Sequence, residues 1–164
     1  MNLLVTGGAG FIGSHFISHV INKPEVKRLV NLDSLTYAGN LENNKCVCGC
    51  YNYFFERADI TEPILAQVLD RHAITHVIHL AAESHVDRSI CGPAPFIQTN
   101  IVGTFNLLEA SLGRVERFHH VSTDEVYGSR TSGWFTEEAA CNPSSPYAAS
   151  KAAADMLVQA YHKT

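Results

Sequence analysis

Two pairs of side chains in the last third of the sequence have the types and spacing that acid–base chemistry needs. Tyr147 and Lys151 are four residues apart in a segment with helical periodicity, so both project from one helix face. An ammonium there favours the phenolate, which can take a proton from a hydroxyl group. Asp124 and Glu125 are adjacent, and paired carboxyl groups in different environments can divide the roles of acid and base. Each pair also fits a plain surface helix or a solvated loop, so the pairs need support from elsewhere in the chain.

A glycine-rich turn near the N-terminus supplies that support. Gly7, Gly10 and Gly13 follow the first apolar segment and open a helix. The first glycine permits a tight turn, the second a close approach of backbone to a pyrophosphate, and the third close helix packing. Asp33 lies 33 − 13 = 20 residues past the last glycine, at the end of a second apolar segment, where a carboxylate can bind both ribose hydroxyls. This pattern predicts a dinucleotide site. It favours NAD over NADP, because Asp33 repels a 2′-phosphate and no arginine occurs in 34–36.

Strand-like segments alternate with helical ones along the chain, which predicts a parallel sheet with right-handed crossovers. We expect an α/β, Rossmann-type doubly wound sheet with helices on both faces. The predicted strands are 2–6, 29–32, 51–56, 75–80 and 117–121, and the predicted helices are 11–21, 64–69, 95–112 and 146–162.

The composition of the 164 residues is that of a folded protein, with 46% hydrophobic residues and a net charge of −4. No stretch concentrates basic residues, no apolar run reaches the length of a membrane span, and the N-terminus lacks a signal-peptide pattern. We therefore expect a cytoplasmic protein with no nucleic-acid or membrane partner. Cys46, Cys48 and Cys50 could ligate a soft metal, but no second ligand pair accompanies them, so reduced thiols and no metal are expected.

Two motifs, Thr6–Ser14 (TGGAGFIGS) and Tyr147–Lys151 (YAASK), resemble those of the extended short-chain dehydrogenase/reductase family. Three further stretches, LTYAGNL at 35–41, LAAESHVDRSI at 80–90 and STDEVYG at 122–128, resemble the dTDP-glucose 4,6-dehydratases within it. The resemblance covers the whole chain but only the N-terminal half of a typical member. It implies that residues 1–164 form an incomplete NAD-binding domain without the C-terminal substrate domain, inactive or weakly active by itself.

The resemblance implies an NAD-dependent dehydration of dTDP-glucose to dTDP-4-keto-6-deoxyglucose. The sugar would be oxidised at C4, lose water across C5 and C6, and receive the hydride back at C6. Tyr147 and Lys151 would serve the oxidation, Thr123 would assist at the C4 oxygen, and Asp124 and Glu125 would be the acid and the base of the elimination. Two alternatives are a nucleotide-sugar 4-epimerase of the same family, which generally lacks the Asp–Glu pair, and a non-catalytic dinucleotide-binding module.

The resemblance also implies the binding contacts and the assembly. Ser84 and Thr123 would contact the nucleotide-sugar substrate, and helices 95–112 and 146–162 would pair across a homodimer. The implied cofactor contacts are Gly7, Gly10, Phe11, Ile12, Gly13, Asp33, Ser34, Leu35, Thr36, Asp59, Ile60, Leu80, Ala81, Ala82, Ser84, Thr99, Tyr147 and Lys151.

Overall fold

A computed structural model describes residues 1–164. Five parallel strands form one sheet in the order β3-β2-β1-β4-β5: β1 (Asn2–Thr6), β2 (Arg28–Asp33), β3 (Tyr53–Arg57), β4 (His76–His79) and β5 (Arg117–His120). The helices are α1 (Phe11–Val20), α2 (Leu65–His72), α3 (Val86–Cys91), α4 (Ala94–Phe96), α5 (Thr104–Ser111) and α6 (Pro146–Lys163), with a π-helical segment at Ile97–Gly103 and 3₁₀ turns at Leu41–Asn44 and Asp124–Tyr127.

The chain divides into two compact units. The sheet unit comprises Met1–Ala81 and Asn106–Val121, and it contains all five strands. The helical unit comprises Ala82–Phe105 and Ser122–Thr164, and it contains α3, α4, the π-helical segment and α6.

Successive side chains of the central strand β1 point to opposite faces of the sheet, as in any β-strand. They therefore pack into two separate cores of the sheet unit. Leu3 and Val5 pack with Ile17 and Ile21 from α1 on one face of the sheet. Leu4 packs on the other face with apolar residues of α2 and α5, among them Val68, Leu69 and Leu107. Both faces are therefore covered by helices, which confirms the predicted doubly wound α/β fold.

The register of the strands aligns their carboxyl ends. Thr6 pairs with Leu32 of β2 and with His79 of β4, so the segments that follow these three strands leave the same edge of the sheet. The direction of strand order reverses between β1 and β4, which is the point where open α/β sheets place their ligands.

Most predicted elements are present with ends shifted by one to three residues, and two differences are larger. The predicted helix 95–112 is present as α4, the π-helical segment and α5 in succession. The Thr104 hydroxyl donates to the Asn100 carbonyl at 2.7 Å, which competes with the regular backbone ladder inside this helix. Helix α3 was not predicted, because six residues are too few to establish a helical period.

No helix of the structure is both long and apolar enough to cross a membrane.

Candidate active site

The glycine turn between β1 and α1 is built from contacts that leave no room for side chains. Gly7 has φ +71° and donates its N–H to the Leu32 carbonyl at 2.9 Å. A Cβ atom at Gly7 would lie 2.7 Å from the backbone nitrogen of Ala81, and one at Gly13 would overlap the Gly7 carbonyl oxygen. Gly7 and Gly13 are thus required by the packing of the turn itself.

Gly10 differs from these two glycines because only one atom limits the space beside it. A Cβ atom there would meet only the Gly7 carbonyl oxygen, at 3.3 Å. Gly10 caps α1 without a side-chain hydrogen bond, and the first turn carries no acidic residue. Phe11 and Ile12 of that turn are exposed. Free N–H groups and the positive end of the helix dipole beside a residue without a side chain suit a phosphate group.

Asp33 is held at the end of β2 by two backbone N–H groups. Its Oδ2 accepts from Ala9 at 2.9 Å and its Oδ1 accepts from Leu35 at 2.8 Å. The side chain lies beside Gly39, where a Cβ atom would approach Oδ1 to 2.8 Å. Each carboxylate oxygen retains a further lone pair, so the residue can accept hydroxyl hydrogen bonds while its own position stays fixed. Leu35 has φ +56°, a left-handed conformation within the segment that contains Ser34, Leu35 and Thr36.

The remaining predicted cofactor residues of the sheet unit follow β3 and β4. Asp59 accepts from the Thr61 N–H and hydroxyl through Oδ1, at 2.9 and 2.8 Å, so this oxygen shapes the local turn. Ile60 is buried in the core. After β4, the Leu80 N–H donates to the Thr6 carbonyl and the Ala81 N–H donates to the Thr6 hydroxyl, both at 3.2 Å.

Two residues of this edge were missed by sequence reasoning. Gly8 has no space for a side chain, since a Cβ atom would overlap the Asn31 amide and lie 2.6 Å from the Ile17 Cδ1. The Thr6 hydroxyl lies 2.7 Å from the Nδ1 of buried His79, and it also accepts from Ala81. The sequence did contain a signal for Thr6, because it is a polar residue at the end of an apolar strand.

In the helical unit, Asn100 organises the segment that contains Ala82, Ser84 and Thr99. Its Oδ1 accepts from the Glu83 N–H, and its Nδ2 donates to the Glu83 carbonyl and to the Ser150 hydroxyl, each at 2.9 Å. Asn100 is buried and lies in the π-helical segment, and Ser150 is on α6. Sequence reasoning missed Asn100, which joins the chain near the predicted substrate residue Ser84 to the helix of Tyr147.

Thr123, Asp124 and Glu125 form the start of the 3₁₀ turn that follows β5. The Thr123 hydroxyl accepts from the Glu125 N–H at 3.3 Å and caps the turn. Asp124 is exposed and Glu125 is half-buried, so the two carboxyl groups have different environments. Such a difference is what a division into acid and base requires.

Tyr147 and Lys151 lie in the first turns of α6. The helix begins after Ser145, whose hydroxyl accepts from the Ala148 N–H at 3.1 Å. The Tyr147 and Phe96 rings meet edge to face with centroids 6.3 Å apart. Lys151 is only 5% exposed, and burial lowers the pKa of its ammonium group, while Asp155 opposes that shift.

The structure thus collects the predicted residues in two sets. The sheet unit holds the glycine turn, Asp33–Thr36, Asp59, Ile60, Leu80 and Ala81; the helical unit holds Ala82, Ser84, Thr99, Thr123–Glu125, Tyr147 and Lys151. Within the helical unit, the turn 124–127 packs against α6. No cluster of three or more His, Cys, Asp or Glu side chains is arranged to hold a metal ion, and all five cysteines are free.

Comparison with known proteins places this geometry among nucleotide-sugar enzymes. The family model described as GDP-mannose 4,6 dehydratase matches residues 4–164. The dTDP-glucose 4,6-dehydratase 1 of Escherichia coli K12 is 50% identical over 185 residues, which cover 100% of this chain and 51% of that protein. The dTDP-glucose 4,6-dehydratase of Neisseria gonorrhoeae is 51% identical over 176 residues, covering 99% of this chain and 51% of that protein.

Solved structures agree with these matches. The crystal structure of the dTDP-glucose 4,6-dehydratase from Streptomyces venezuelae, which has NAD bound, superposes with a TM-score of 0.96 at 48% identity and covers 100% of this chain and 52% of that one. A UDP-glucose 4-epimerase from Thermotoga maritima superposes with a TM-score of 0.88 at 33% identity, covering 99% of this chain and 51% of that one. The chain spans about half the length of the relatives it matches.

Proposed function

The chain belongs to the GDP-mannose 4,6 dehydratase family, and from this premise we propose that it supplies the cofactor-binding and acid–base residues of an NAD-dependent dTDP-glucose 4,6-dehydratase. The observation that carries the proposal is the presence of both reactive pairs, Asp124–Glu125 and Tyr147–Lys151, in one compact unit. The identity of about half to dTDP-glucose 4,6-dehydratases, against 33% to a 4-epimerase, supports the choice of reaction.

The residues of the sheet unit suit NAD. The backbone at Gly10, which carries no side chain, and the free N–H groups of α1 would hold the pyrophosphate, and Asp33 would hold the adenosine ribose. The family resemblance assigns further cofactor contacts of the sheet unit to Ser34–Thr36, Asp59, Ile60, Leu80 and Ala81. In the helical unit it assigns such contacts to Ala82, Ser84 and Thr99. Bound NAD would supply the hydride acceptor for oxidation at C4 and the hydride donor for reduction at C6.

The residues of the helical unit would move protons at three atoms of the sugar. Tyr147, as phenolate beside the Lys151 ammonium, takes the proton of the C4 hydroxyl, with Thr123 hydrogen-bonded near the same oxygen. The resulting C4 ketone acidifies the C5 proton, which Glu125 removes. Asp124 donates a proton to the departing C6 hydroxyl, which leaves as water. When the hydride returns at C6, Glu125 gives its proton back to C5, so the sugar loses water without net oxidation.

The experiment that tests this proposal is product analysis. The protein, expressed from its complete gene, is incubated with NAD and dTDP-glucose, and the sugar is followed by NMR. We expect a C6 methyl group beside a C4 ketone. A product with inverted C4 and an intact C6 hydroxymethyl group would identify an epimerase, and NAD binding without conversion would identify a non-catalytic module; either outcome contradicts the proposal.

We also propose that the protein is a cytoplasmic homodimer, paired through the helical stretch 94–111 and α6. Large apolar side chains on these elements are exposed, namely Ile97 at 45%, Phe105 at 42% and Met156 at 61%. Burying such side chains against a second copy favours association. Five free cysteines suit a reducing compartment. Sedimentation at micromolar concentration should show a dimer, and a monomer alone would contradict the assembly.

A further inference from the structure

Asp155 extends the reactive face of α6 by one helical turn. It lies four residues after Lys151, which lies four residues after Tyr147, so the three side chains project from one face of the helix. Lys151 is buried and Asp155 is half-buried. The proposed base and its ammonium partner are therefore followed by a carboxylate that no part of the proposed reaction uses.

The Asp155 carboxylate is hydrogen-bonded to the segment that contains the second reactive pair. The Ser122 hydroxyl donates to Asp155 Oδ2 at 2.5 Å. Ser122 directly precedes Thr123, Asp124 and Glu125. This contact joins the start of that segment to α6, in addition to the packing of turn 124–127 against the helix.

Asp155 also supplies the charge that acts on Lys151. Burial lowers the pKa of Lys151, and the negative charge of Asp155 raises it. Among the elements packed against α6, α3 carries the titratable or charged residues Asp87, Arg88 and Cys91, and the turn 124–127 carries Asp124, Glu125 and Tyr127. Neither α4 nor the π-helical segment carries a charged residue.

We propose that Asp155 is a positioning residue for both reactive pairs: its carboxylate holds the Thr123–Glu125 segment to α6 through Ser122 and keeps the buried Lys151 in its ammonium form. The proposal rests on the proposed function of Tyr147 and Lys151. In this proposal, Asp155 connects the Tyr147–Lys151 pair, which serves oxidation at C4, to the Asp124–Glu125 pair, which serves elimination across C5 and C6.

The first test measures the titration of Lys151 in the chain by NMR of ¹⁵N-labelled lysine side chains. Asp155→Asn removes the charge and keeps an oxygen that can accept from Ser122, so the titration midpoint of Lys151 should fall below that of the wild type. Asp155→Glu, which retains the charge, should keep the wild-type midpoint. If Asp155→Asn does not fold, Asp155→Ser also removes the charge and carries the same expectation. An unchanged midpoint in the neutral variant would overturn the proposal.

Ser122→Ala separates the contact from the charge. It removes the hydrogen bond and leaves the carboxylate, so the Lys151 midpoint should stay near the wild-type value. If Ser122→Ala lowers the midpoint as far as Asp155→Asn does, the effect comes from a disturbed local structure and the charge role is wrong.

The second test uses the protein from its complete gene with NAD and dTDP-glucose as the probe. In Asp155→Asn the alkaline limb of the pH profile for C4 oxidation should move to lower pH. Ser122→Ala should lower the rate of elimination severalfold without moving that limb. A merely structural role would lower rates at every pH and leave the limb in place, which would overturn the proposal. Failure of the proposed function is distinguishable, because the lysine titration needs no substrate and decides the role of Asp155 by itself.

Discussion

The Asp33 carboxylate and the Ala9 N–H lie 2.9 Å apart, and this bond joins the end of β2 to the glycine turn that follows β1. The predicted ribose-binding group and the predicted phosphate-binding loop are therefore one hydrogen-bonded assembly. A ligand that contacts both meets a surface already held in place, which reduces the entropic cost of binding.

The first prediction concerns the choice of cofactor. The chain should bind NAD at least about tenfold more tightly than NADP, a difference of about 1.4 kcal/mol, because Asp33 repels the 2′-phosphate. Asp33→Asn, which removes the charge, should narrow this preference. Titration calorimetry measures both affinities. Tighter binding of NADP by the wild type would contradict the role of Asp33, and binding of neither would contradict a cofactor site in the sheet unit.

The second prediction concerns Gly7. Gly7→Ala should lower the free energy of unfolding by about 2 to 4 kcal/mol, since it combines a left-handed backbone with an overlap against Ala81. Gly113 is the matched control, because its φ of +68° is similar and a Cβ atom there would meet no other atom within 4 Å. Gly113→Ala should cost only about 1 kcal/mol. Urea denaturation compares the variants, and equal losses would show that packing against Ala81 is unimportant.

The third prediction is a pH dependence of stability in the sheet unit. Glu56 accepts from His72 Nε2 at 2.7 Å and from Arg71 Nη1 at 2.9 Å, and chiefly the His72 hydrogen bond lowers the pKa of Glu56 below its ordinary 4.5. A carboxyl group whose pKa is lower in the folded state stabilises the protein above the unfolded pKa, and this contribution is lost as the pH falls through the folded value. Stability should therefore decline below about pH 4.5.

Glu56→Gln tests this directly. The variant should be less stable than the wild type by about 1 kcal/mol at pH 7, and the difference should vanish in acid. Exposed Glu62 is the control, and Glu62→Gln should change little. Urea unfolding between pH 3 and 7 gives the comparison. A difference between wild type and Glu56→Gln that persists unchanged at pH 3 would contradict the assignment.

The fourth prediction concerns the buried amide of Asn100. Asn100→Leu removes three side-chain hydrogen bonds and leaves the Glu83 backbone groups and the Ser150 hydroxyl without these partners. We therefore expect the free energy of unfolding to fall by about 2 to 4 kcal/mol. Asn106 donates one bond, to the Thr61 carbonyl at 3.2 Å, and Asn106→Leu should cost about 1 kcal/mol. Denaturant titration measures the free energy of unfolding of both variants. Equal losses in Asn100→Leu and Asn106→Leu would show that the hydrogen bonds of Asn100 contribute no more stability than the single bond of Asn106.

The fifth prediction separates the two proposed proton acceptors in the protein from its complete gene. Glu125→Gln should preserve oxidation at C4 but slow elimination by roughly two to four decades, about 3 to 5 kcal/mol of barrier. Rapid quenching should then find reduced cofactor and a 4-keto sugar that keeps its C6 hydroxyl. Tyr147→Phe should instead leave the cofactor oxidised. Formation of the deoxy product at the wild-type rate by Glu125→Gln would remove Glu125 as the base and weaken the choice of dehydratase over epimerase.

The fold was predictable from the sequence where apolar periodicity is long and local, as for β1 and α6. The glycine turn and Asp33 were predictable because their spacing reflects a single strand–turn–helix unit. Gly8 and Asn100 were not, since their constraints come from Asn31, Glu83 and Ser150, which are distant in the chain. The π-helical segment depends on local hydrogen bonds that no hydrophobic pattern encodes. The assigned roles of the site residues remain predictions for the experiments above.

The central position of β1 has a consequence for synthesis on the ribosome. Its neighbour β4 arrives late, since Thr6 and His79 are 73 residues apart. At about 5 to 20 residues per second, one edge of the first strand stays unpaired for roughly 4 to 15 s. Meanwhile β2 and α1 can already cover its other edge and one of its faces. Nascent chains should therefore pass through a half-formed sheet that has one edge of unpaired backbone N–H and C=O groups. That interval is when strand-to-strand association between neighbouring nascent chains is most favoured.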